Sequence, residues 1–208
     1  MSFAQELLRE NAYLRLQLTE KQNMFDLAQR ILKLNQINCG EKFRCLTARV
    51  IFRSIELWDQ IVVIDKGFNA GVRVGQGVIC ADGVVGRVRQ VEKSTAVVEL
   101  ITCLGFKMIV KMENRSEPYV LNGIVNTNLF GKSSPLAKLI NVDQADEFVC
   151  PQKIETVECG QQFPSNVFVG QLEKVDRKEN ETVGVVRLGD YLKWIDEVGV
   201  LIPVSNLL

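Results

Sequence analysis

The chain has 208 residues, of which 47% are hydrophobic and 24% are charged, so it can bury one large or two small apolar cores. Lys plus Arg and Asp plus Glu number 25 each, and this balance argues against nucleic acid or an anionic membrane surface as a partner. The chain contains no histidine, which excludes His-based serine and cysteine triads and the H-E-x-x-H metalloprotease site.

The first predicted element is a long helix over residues 4–38, a stretch without Gly or Pro. Residues spaced three and four apart form an a/d seam that Asn11, Lys21 and Asn35 interrupt. The predicted dimerisation residues of this seam are Leu7, Leu14, Leu18, Phe25, Ala28 and Leu32. A second register, formed by Met24, Leu27, Ile31 and Leu34, is interpreted as a stutter. Residues 1–44 are therefore predicted to be a self-associating coiled coil, with a helix lying flat on its own β-domain as the alternative.

Residues 45–112 are predicted to form a first small β-barrel module. Between positions 58 and 100, short runs of Val and Ile alternate with glycines, which is typical of a compact antiparallel unit. Glycine suits places where the backbone turns tightly or passes close to a neighbouring strand. The residues predicted to have structural roles here are Trp58, Gly67, Gly75 and Gly86. The predicted fold class is therefore mainly β, with two such modules after the helix.

The second β-barrel module is predicted for residues 113–208, because the chain resembles itself at a shift of about 84 positions. Val85-Gly86-x-Val88 then lies over Val169-Gly170-x-Leu172, although Val-Gly spacing also recurs by chance in β-rich chains. Gly86 and Gly170 lie inside Val-rich runs, where glycine indicates a bulge or a close backbone approach. The last strand of this range is expected to pair either within the second module or with the first module.

The stretch between the modules has two further signals. Asn122-Gly123 stands between β-branched residues and predicts a hairpin. The following NTNLFGKSSP predicts an exposed loop with Leu129 and Phe130 at its tip. Apolar residues in so polar a loop are predicted to contact a partner, with folding back onto their own barrel as the alternative.

No catalytic, metal-binding or cofactor-binding site is predicted. Gly131-Lys132-Ser133 matches the end of a phosphate-binding loop, but Asn126 stands where that loop requires glycine. A Ser-Lys dyad or a carboxylate pair assembled from distant positions is the remaining enzymatic alternative. The six cysteines form no C-x-x-C pair and are interpreted as small hydrophobes, with a disulfide such as Cys39 to Cys45 as the alternative.

The charges of the opening MSFAQELLREN argue against a signal peptide, and the longest apolar runs are far too short to span a bilayer. The 208 residues are therefore expected to be soluble, either as a whole protein or as an ectodomain cut from a longer chain.

Several motifs follow one another in a recognisable order. They are Trp58-x-x-x-Val62-x-Ile64 with Gly67, Gly71-Val72-x-x-Gly75, Gly83-x-Val85-Gly86, and Phe163-Pro164 followed by Val169-Gly170. In this order the chain resembles the MreC family of rod shape-determining proteins, from about residue 5 to its C-terminus. Pro164 and Gly170 are accordingly assigned structural roles. The second module departs from the family pattern, with Lys153-Ile154 in place of Gly-Asp and Asn166 in place of a glycine, a mild change at positive φ.

The resemblance implies a coiled coil and two small β-barrels in the periplasm, tethered to the bacterial inner membrane by a helix preceding residue 1. It implies a homodimer through the coil, and a scaffold of the elongation machinery that governs peptidoglycan synthesis and cell shape. The implied partners are a penicillin-binding transpeptidase and other membrane-embedded elongation proteins, without catalysis or a cofactor. The alternatives are a periplasmic adaptor of an efflux or secretion system, which needs a helical hairpin, and an enzyme of chymotrypsin-like shape, which lacks its histidine.

Overall fold

The computed structural model describes residues 3–36, 41–53, 60–115, 117–124, 135–140, 142, 148–158, 162–178 and 181–204. One helix, α1 (Phe3–Gln36), precedes a body of β-strands. Its 34 residues span about 50 Å at a rise of 1.5 Å per residue. The helix side chains are described from Leu8 to Leu32.

The described strands alternate with short turns along the rest of the chain. In chain order they are β1 (Phe43–Arg53), β2 (Ile61–Ile64), β3 (Gly77–Cys80), β4 (Gly83–Val91), β5 (Ala96–Leu100), β6 (Lys107–Met112), β7 (Tyr119–Gly123), β8 (Leu136–Ile140), β9 (Gln152–Thr156), β10 (Phe168–Lys178), β11 (Glu181–Leu188) and β12 (Glu197–Pro203). Single turns of 3-10 helix occupy Phe68–Ala70 and Asp190–Lys193.

The strands close into two barrels. The order around the first barrel is β1-β12-β3-β4-β5-β2, and the order around the second is β10-β11-β8-β7-β6-β9. Neighbouring strands are antiparallel in both barrels. The prediction of a mainly β fold with an N-terminal helix and two small barrels is therefore confirmed.

The two barrels share one pattern of neighbours. If β4 and β5 are matched to β10 and β11, then β1, β2 and β3 match β7, β8 and β9, and β12 matches β6. The matched strands share a glycine followed by a bulge. Gly86 pairs with Leu100 just before a register shift after Val88, and Gly170 pairs with Leu188 just before a shift after Leu172. The shift of 84 positions in the sequence thus corresponds to a repeated barrel.

No single boundary in the sequence separates the strands of the first barrel from those of the second. β6 precedes the predicted boundary after residue 112, yet it pairs with β7 and β9 of the second barrel. β12 pairs with β1 and β3 and so returns to the first barrel. The hairpin predicted at Asn122-Gly123 is wrong, because both residues pair at the end of β7. Glycine is required there because a Cβ would lie 2.1 Å from the carbonyl oxygen of Cys103.

Alternating side chains give each barrel an apolar interior. Along β6, Met108, Val110 and Met112 are buried, whereas Lys107 and Ile109 face outward. The buried residues of both barrels form one continuous apolar cluster, and each fully buried Val, Leu or Ile contributes about 1.5–3 kcal/mol. Ile101 and Phe106 lie between β5 and β6 and are completely buried. The core therefore continues through the joint between the barrels.

Candidate functional site

The predicted dimerisation seam lies on an exposed face of α1. Leu14, Leu18, Phe25 and Leu32 expose 54%, 60%, 62% and 58% of their surface, and Ala28 is exposed as well. Leu7 belongs to the helix, but its side chain is outside the described range. Residues three and four apart share one helix face, and an exposed apolar face of this length is typical of a surface that contacts another molecule.

The second register of α1 points to the first barrel near the C-terminal end of the helix. Arg30 there lies 3.8 Å from Asp196 and 3.7 Å from Glu197 at the start of β12. Ile31 is half-buried and Leu27 is 38% exposed, less than the residues of the seam. The contacts of Arg30 and the half-buried Ile31 place this end of the helix against the first barrel, and the stutter stays a prediction. The pair with Asp196 is exposed on both sides, and such pairs contribute only about 0–1 kcal/mol, whereas Glu197 is largely buried.

The rest of the helix does not lie flat on the barrels. Every described side chain from Leu8 to Arg30 is exposed except that of Gln17. In the part of the chain that the structure describes, no helix is both long enough and apolar enough to cross a membrane. The exposed part of α1 thus combines an apolar stripe with charged flanks, which is typical of a coiled-coil helix.

A close joint connects the two barrels. Gly83 of β4 faces the second barrel, and a Cβ there would lie 2.5 Å from the carbonyl oxygen of Phe168. Beside it, the Tyr191 hydroxyl donates a hydrogen bond of 2.8 Å to the carbonyl oxygen of Val84. Burial raises the pKa of the Tyr191 hydroxyl well above its ordinary value, so the group remains a donor at neutral pH. Only glycine allows this approach, which fixes the barrels against each other.

Exposed apolar side chains cluster beside the contact between helix and barrel. Arg53 donates hydrogen bonds to two carbonyl oxygens of the 3-10 turn Asp190–Lys193 and holds that turn against β1. Ile51 lies at a register shift of β1, and Phe52 and Trp194 expose 60% and 74% of their surface. Sequence reasoning missed this cluster, because nothing in the local sequence marks the bulge that turns two consecutive apolar side chains outward.

The glycines predicted to be structural lie where the backbone is crowded or turned. A Cβ would lie 2.4 Å, 1.9 Å and 2.6 Å from a backbone oxygen at Gly67, Gly86 and Gly170, respectively. Gly75 has a φ of +89°, in the left-handed region that favours glycine. Trp58 lies outside the described residues, as do Leu129 and Phe130 of the predicted contact loop.

Pro164 belongs to a buried turn before β10. The Thr156 hydroxyl donates a hydrogen bond of 2.5 Å to the carbonyl oxygen of Pro164 and accepts one of 3.0 Å from the backbone N–H of Val167. Asn166, which stands in place of a glycine, has a φ of 66°. Thr156 therefore braces the turn in a segment where the sequence departs from the family pattern.

Two of the described cysteines, Cys80 and Cys103, pack in the apolar core. Cys80 and Cys103 are buried, Cys45 is half-buried and Cys150 is exposed, and no two of these four cysteines form a disulfide. Burial raises the pKa of the Cys80 thiol to about 12, so this thiol is protonated and unreactive at neutral pH. Among the described residues, no three His, Cys, Asp or Glu side chains are grouped so as to hold a metal ion. Cys39 and Cys159 lie outside the described residues.

Comparison with known sequences identifies relatives of this architecture. The family model for the rod shape-determining protein MreC, barrel core, matches residues 50–201. The cell shape-determining protein MreC of Listeria monocytogenes is 32% identical over 133 residues, which make up 63% of this chain and 43% of that protein. The chain therefore spans less than half the length of the curated relatives that it matches.

Solved structures share the fold. An MreC structure from Listeria monocytogenes matches with a TM-score of 0.68 at 26% identity, over 96% of this chain and 93% of that chain. A second match is a chain of the complex between penicillin-binding protein PBP2 and MreC from Helicobacter pylori. Its TM-score is 0.58 at 14% identity, over 77% of this chain and 98% of that chain, so the likeness concerns the fold alone.

Proposed function

Because the chain belongs to the MreC family of rod shape-determining proteins, we propose that it is a non-catalytic scaffold of the cell-elongation machinery. In this role it organises peptidoglycan synthesis, and with it cell shape, by holding other proteins in place. The observation that carries the proposal is the helix α1, whose exposed apolar seam extends from a body of two barrels with one core. Such a helix joins copies of the chain, and such a body offers surfaces to partners.

The proposed homodimer forms through the seam of α1. Leu14, Leu18, Phe25 and Leu32 are exposed on a face that the first barrel does not use, which supports pairing with the same face of a second copy. Asn11 and Lys21 stand at core positions of the seam, where polar residues specify the register but lower the stability of a coiled coil. The coil alone should therefore associate weakly, and a membrane tether would strengthen association by raising the local concentration.

The proposed location is the periplasm, with a tether in the inner membrane that would precede residue 1. The proposed partners are a penicillin-binding transpeptidase and other membrane-embedded proteins of the elongation machinery. A family relative from Helicobacter pylori forms a complex with the penicillin-binding protein PBP2, and this supports a transpeptidase as a partner here. Leu129 and Phe130 remain the contact residues predicted from the sequence.

The proposal is tested by binding the full chain to the soluble extracytoplasmic part of the transpeptidase from the same bacterium, measured by biolayer interferometry. We expect saturable binding, and we expect Leu129→Ser combined with Phe130→Ser to weaken it while leaving the thermal midpoint nearly unchanged. If the unaltered chain does not bind, the transpeptidase is not its partner. If the double variant binds normally or loses much stability, only the contact role of this loop is wrong.

A further inference from the structure

The loop of residues 66–75, which connects β2 to β3, presents two apolar side chains to solvent. Phe68 is 57% exposed and Val74 is 65% exposed. The loop is anchored to the turn between β4 and β5, where the Phe68 N–H donates to the carbonyl oxygen of Glu92 at 2.8 Å and the Asn69 N–H donates to that of Lys93 at 3.0 Å. The apolar side chains therefore stand on a backbone that is tied to the barrel.

Arg73 locks the conformation of the loop. Its guanidinium lies 4.1 Å from the centroid of the Phe68 ring. Its Nη1 donates to the carbonyl oxygens of Phe68 at 3.2 Å and Val72 at 2.9 Å. The backbone N–H of Arg73 donates a bond of 2.8 Å to Oε1 of Gln76, a buried polar side chain. A contact made by Phe68 would thus require little additional ordering, and this favours binding.

The loop lies in a positively charged neighbourhood. Four cationic residues belong to the loop or to residues 89–93 beside it, and they are Lys66, Arg73, Arg89 and Lys93. Two acidic residues accompany them, and both have local partners. Asp65 lies 3.9 Å from Lys66, and Glu92 accepts a hydrogen bond of 3.0 Å from the side chain of Gln90. This end of the barrel therefore carries an excess of positive charge in a chain whose total charge is balanced.

We propose that the 66–75 loop docks on an acidic protein surface with an apolar pocket for Phe68, and that the transpeptidase of the proposed function provides this surface. The proposal rests on that function. Aromatic and arginine side chains dominate the energetics of protein interfaces, and a cationic rim speeds association with an acidic partner. A lipid surface is disfavoured because membrane binding scales with the buried apolar area, and one Phe and one Val offer little.

The test compares the unaltered full chain with Phe68→Ser combined with Val74→Ser, using the extracytoplasmic part of the transpeptidase as the probe. We expect the double variant to bind about tenfold more weakly or worse, as is usual for the loss of an aromatic hot spot. Leu104→Ser is the matched control, because Leu104 is 67% exposed on another turn, and it should bind normally. Equal binding by the double variant would overturn the proposal for the loop alone.

A second variant keeps the test decisive if the serine changes lower the stability. Arg89 and Lys93 are exposed, so Arg89→Glu combined with Lys93→Glu should leave the fold intact while slowing association and reducing its dependence on salt. An unchanged salt dependence would overturn the proposal. Failure of the unaltered chain to bind would overturn both the proposed function and this inference. Loop-dependent binding to phosphatidylglycerol vesicles would assign the loop to lipid instead.

Discussion

The two barrels share a strand pattern but differ in how the chain closes them. The described strands of the second barrel all come from one stretch, residues 107–188. The first barrel takes β1 to β5 from residues 43–100 and then needs β12, from residues 197–203. The second barrel is therefore a local unit, whereas the first encloses the second within its own sequence.

This difference makes the first barrel dependent on the second. The entropy cost of closing a loop grows slowly with its length, so a long insertion costs little more than a short one. The inserted barrel must nevertheless bring β12 back to β1 and β3. The buried residues Ile101 and Phe106 at one crossing, and Leu192 at the other, tie the two units into one core. We infer that the second barrel stays folded when the first is disrupted, whereas the first barrel does not stay folded when the second is disrupted.

Removal of β12, the strand that closes the first barrel, should produce the largest difference in stability between the two barrels. Deletion of residues 197–208 takes away the strand that pairs with β1 from Phe43 to Arg49 and with β3 at Val78 and Ile79. The first barrel should open, because both strands lose their ladder on one side. In hydrogen exchange measured by mass spectrometry, β1 to β5 should lose protection while β6 to β11 keep theirs.

Deletion of residues 205–208 alone is the control and should leave the exchange pattern unchanged. Persistent protection of β1 to β5 without β12 would show that the first barrel does not depend on its return strand. Loss of protection in both barrels would show that the second barrel is not a local unit.

The matched glycines Gly86 and Gly170 allow the two barrels to be compared at single residues. A Cβ at Gly86 would lie 1.9 Å from the Glu99 oxygen, whereas at Gly170 it would lie 2.6 Å from the Arg187 oxygen. Overpacking typically costs about 1–3 kcal/mol and occasionally more. We therefore expect Gly86→Ala to cost about 3 kcal/mol or more and Gly170→Ala to fall within about 1–3 kcal/mol, as measured by urea unfolding.

Gly86→Val should likewise cost more than the ~1 kcal/mol span of β-propensity, although Val is the better strand former. Gln171→Ala, at an exposed position beside Gly170, is the control and should change stability by less than about 0.5 kcal/mol. Equal costs at the two glycines, or stabilisation by Val at position 86, would contradict the close approach in the first barrel.

Local sequence patterns predicted the elements of this fold, because each helix or strand depends mainly on residues that are close together in the sequence. The a/d spacing of Leu14, Leu18 and Phe25 and the absence of Gly and Pro predict α1. The repeated Val-Gly spacing around Gly86 and Gly170 predicts the second module, and those glycines precede matching bulges. The motif resemblance then connects these elements to a family that the sequence comparison also finds.

Non-local pairing could not be predicted from the same patterns. The alternation of β6 suits either barrel, so its neighbours could not be deduced from its own residues. Asn122-Gly123 has the sequence of a hairpin turn, but crowding against Cys103 is what requires its glycine. Periodicity also does not reveal what a helix face contacts, so the half-buried position of Ile31 could not be deduced from its spacing. Phe68 and Trp194 gave no signal, because exposure of an apolar residue depends on the fold.

The proposal that α1 forms the dimer while the barrels fold without it can be decided by sedimentation equilibrium. The full chain should dimerise at roughly micromolar concentrations or above, and the chain lacking residues 1–40 should be a folded monomer. Leu18→Asp combined with Leu32→Asp should also give a monomer, since it buries charge in the seam. Leu27→Asp, on the register facing the barrel, should remain dimeric. A dimer without residues 1–40 would place the interface on the barrels, and unfolding would make the helix part of their core.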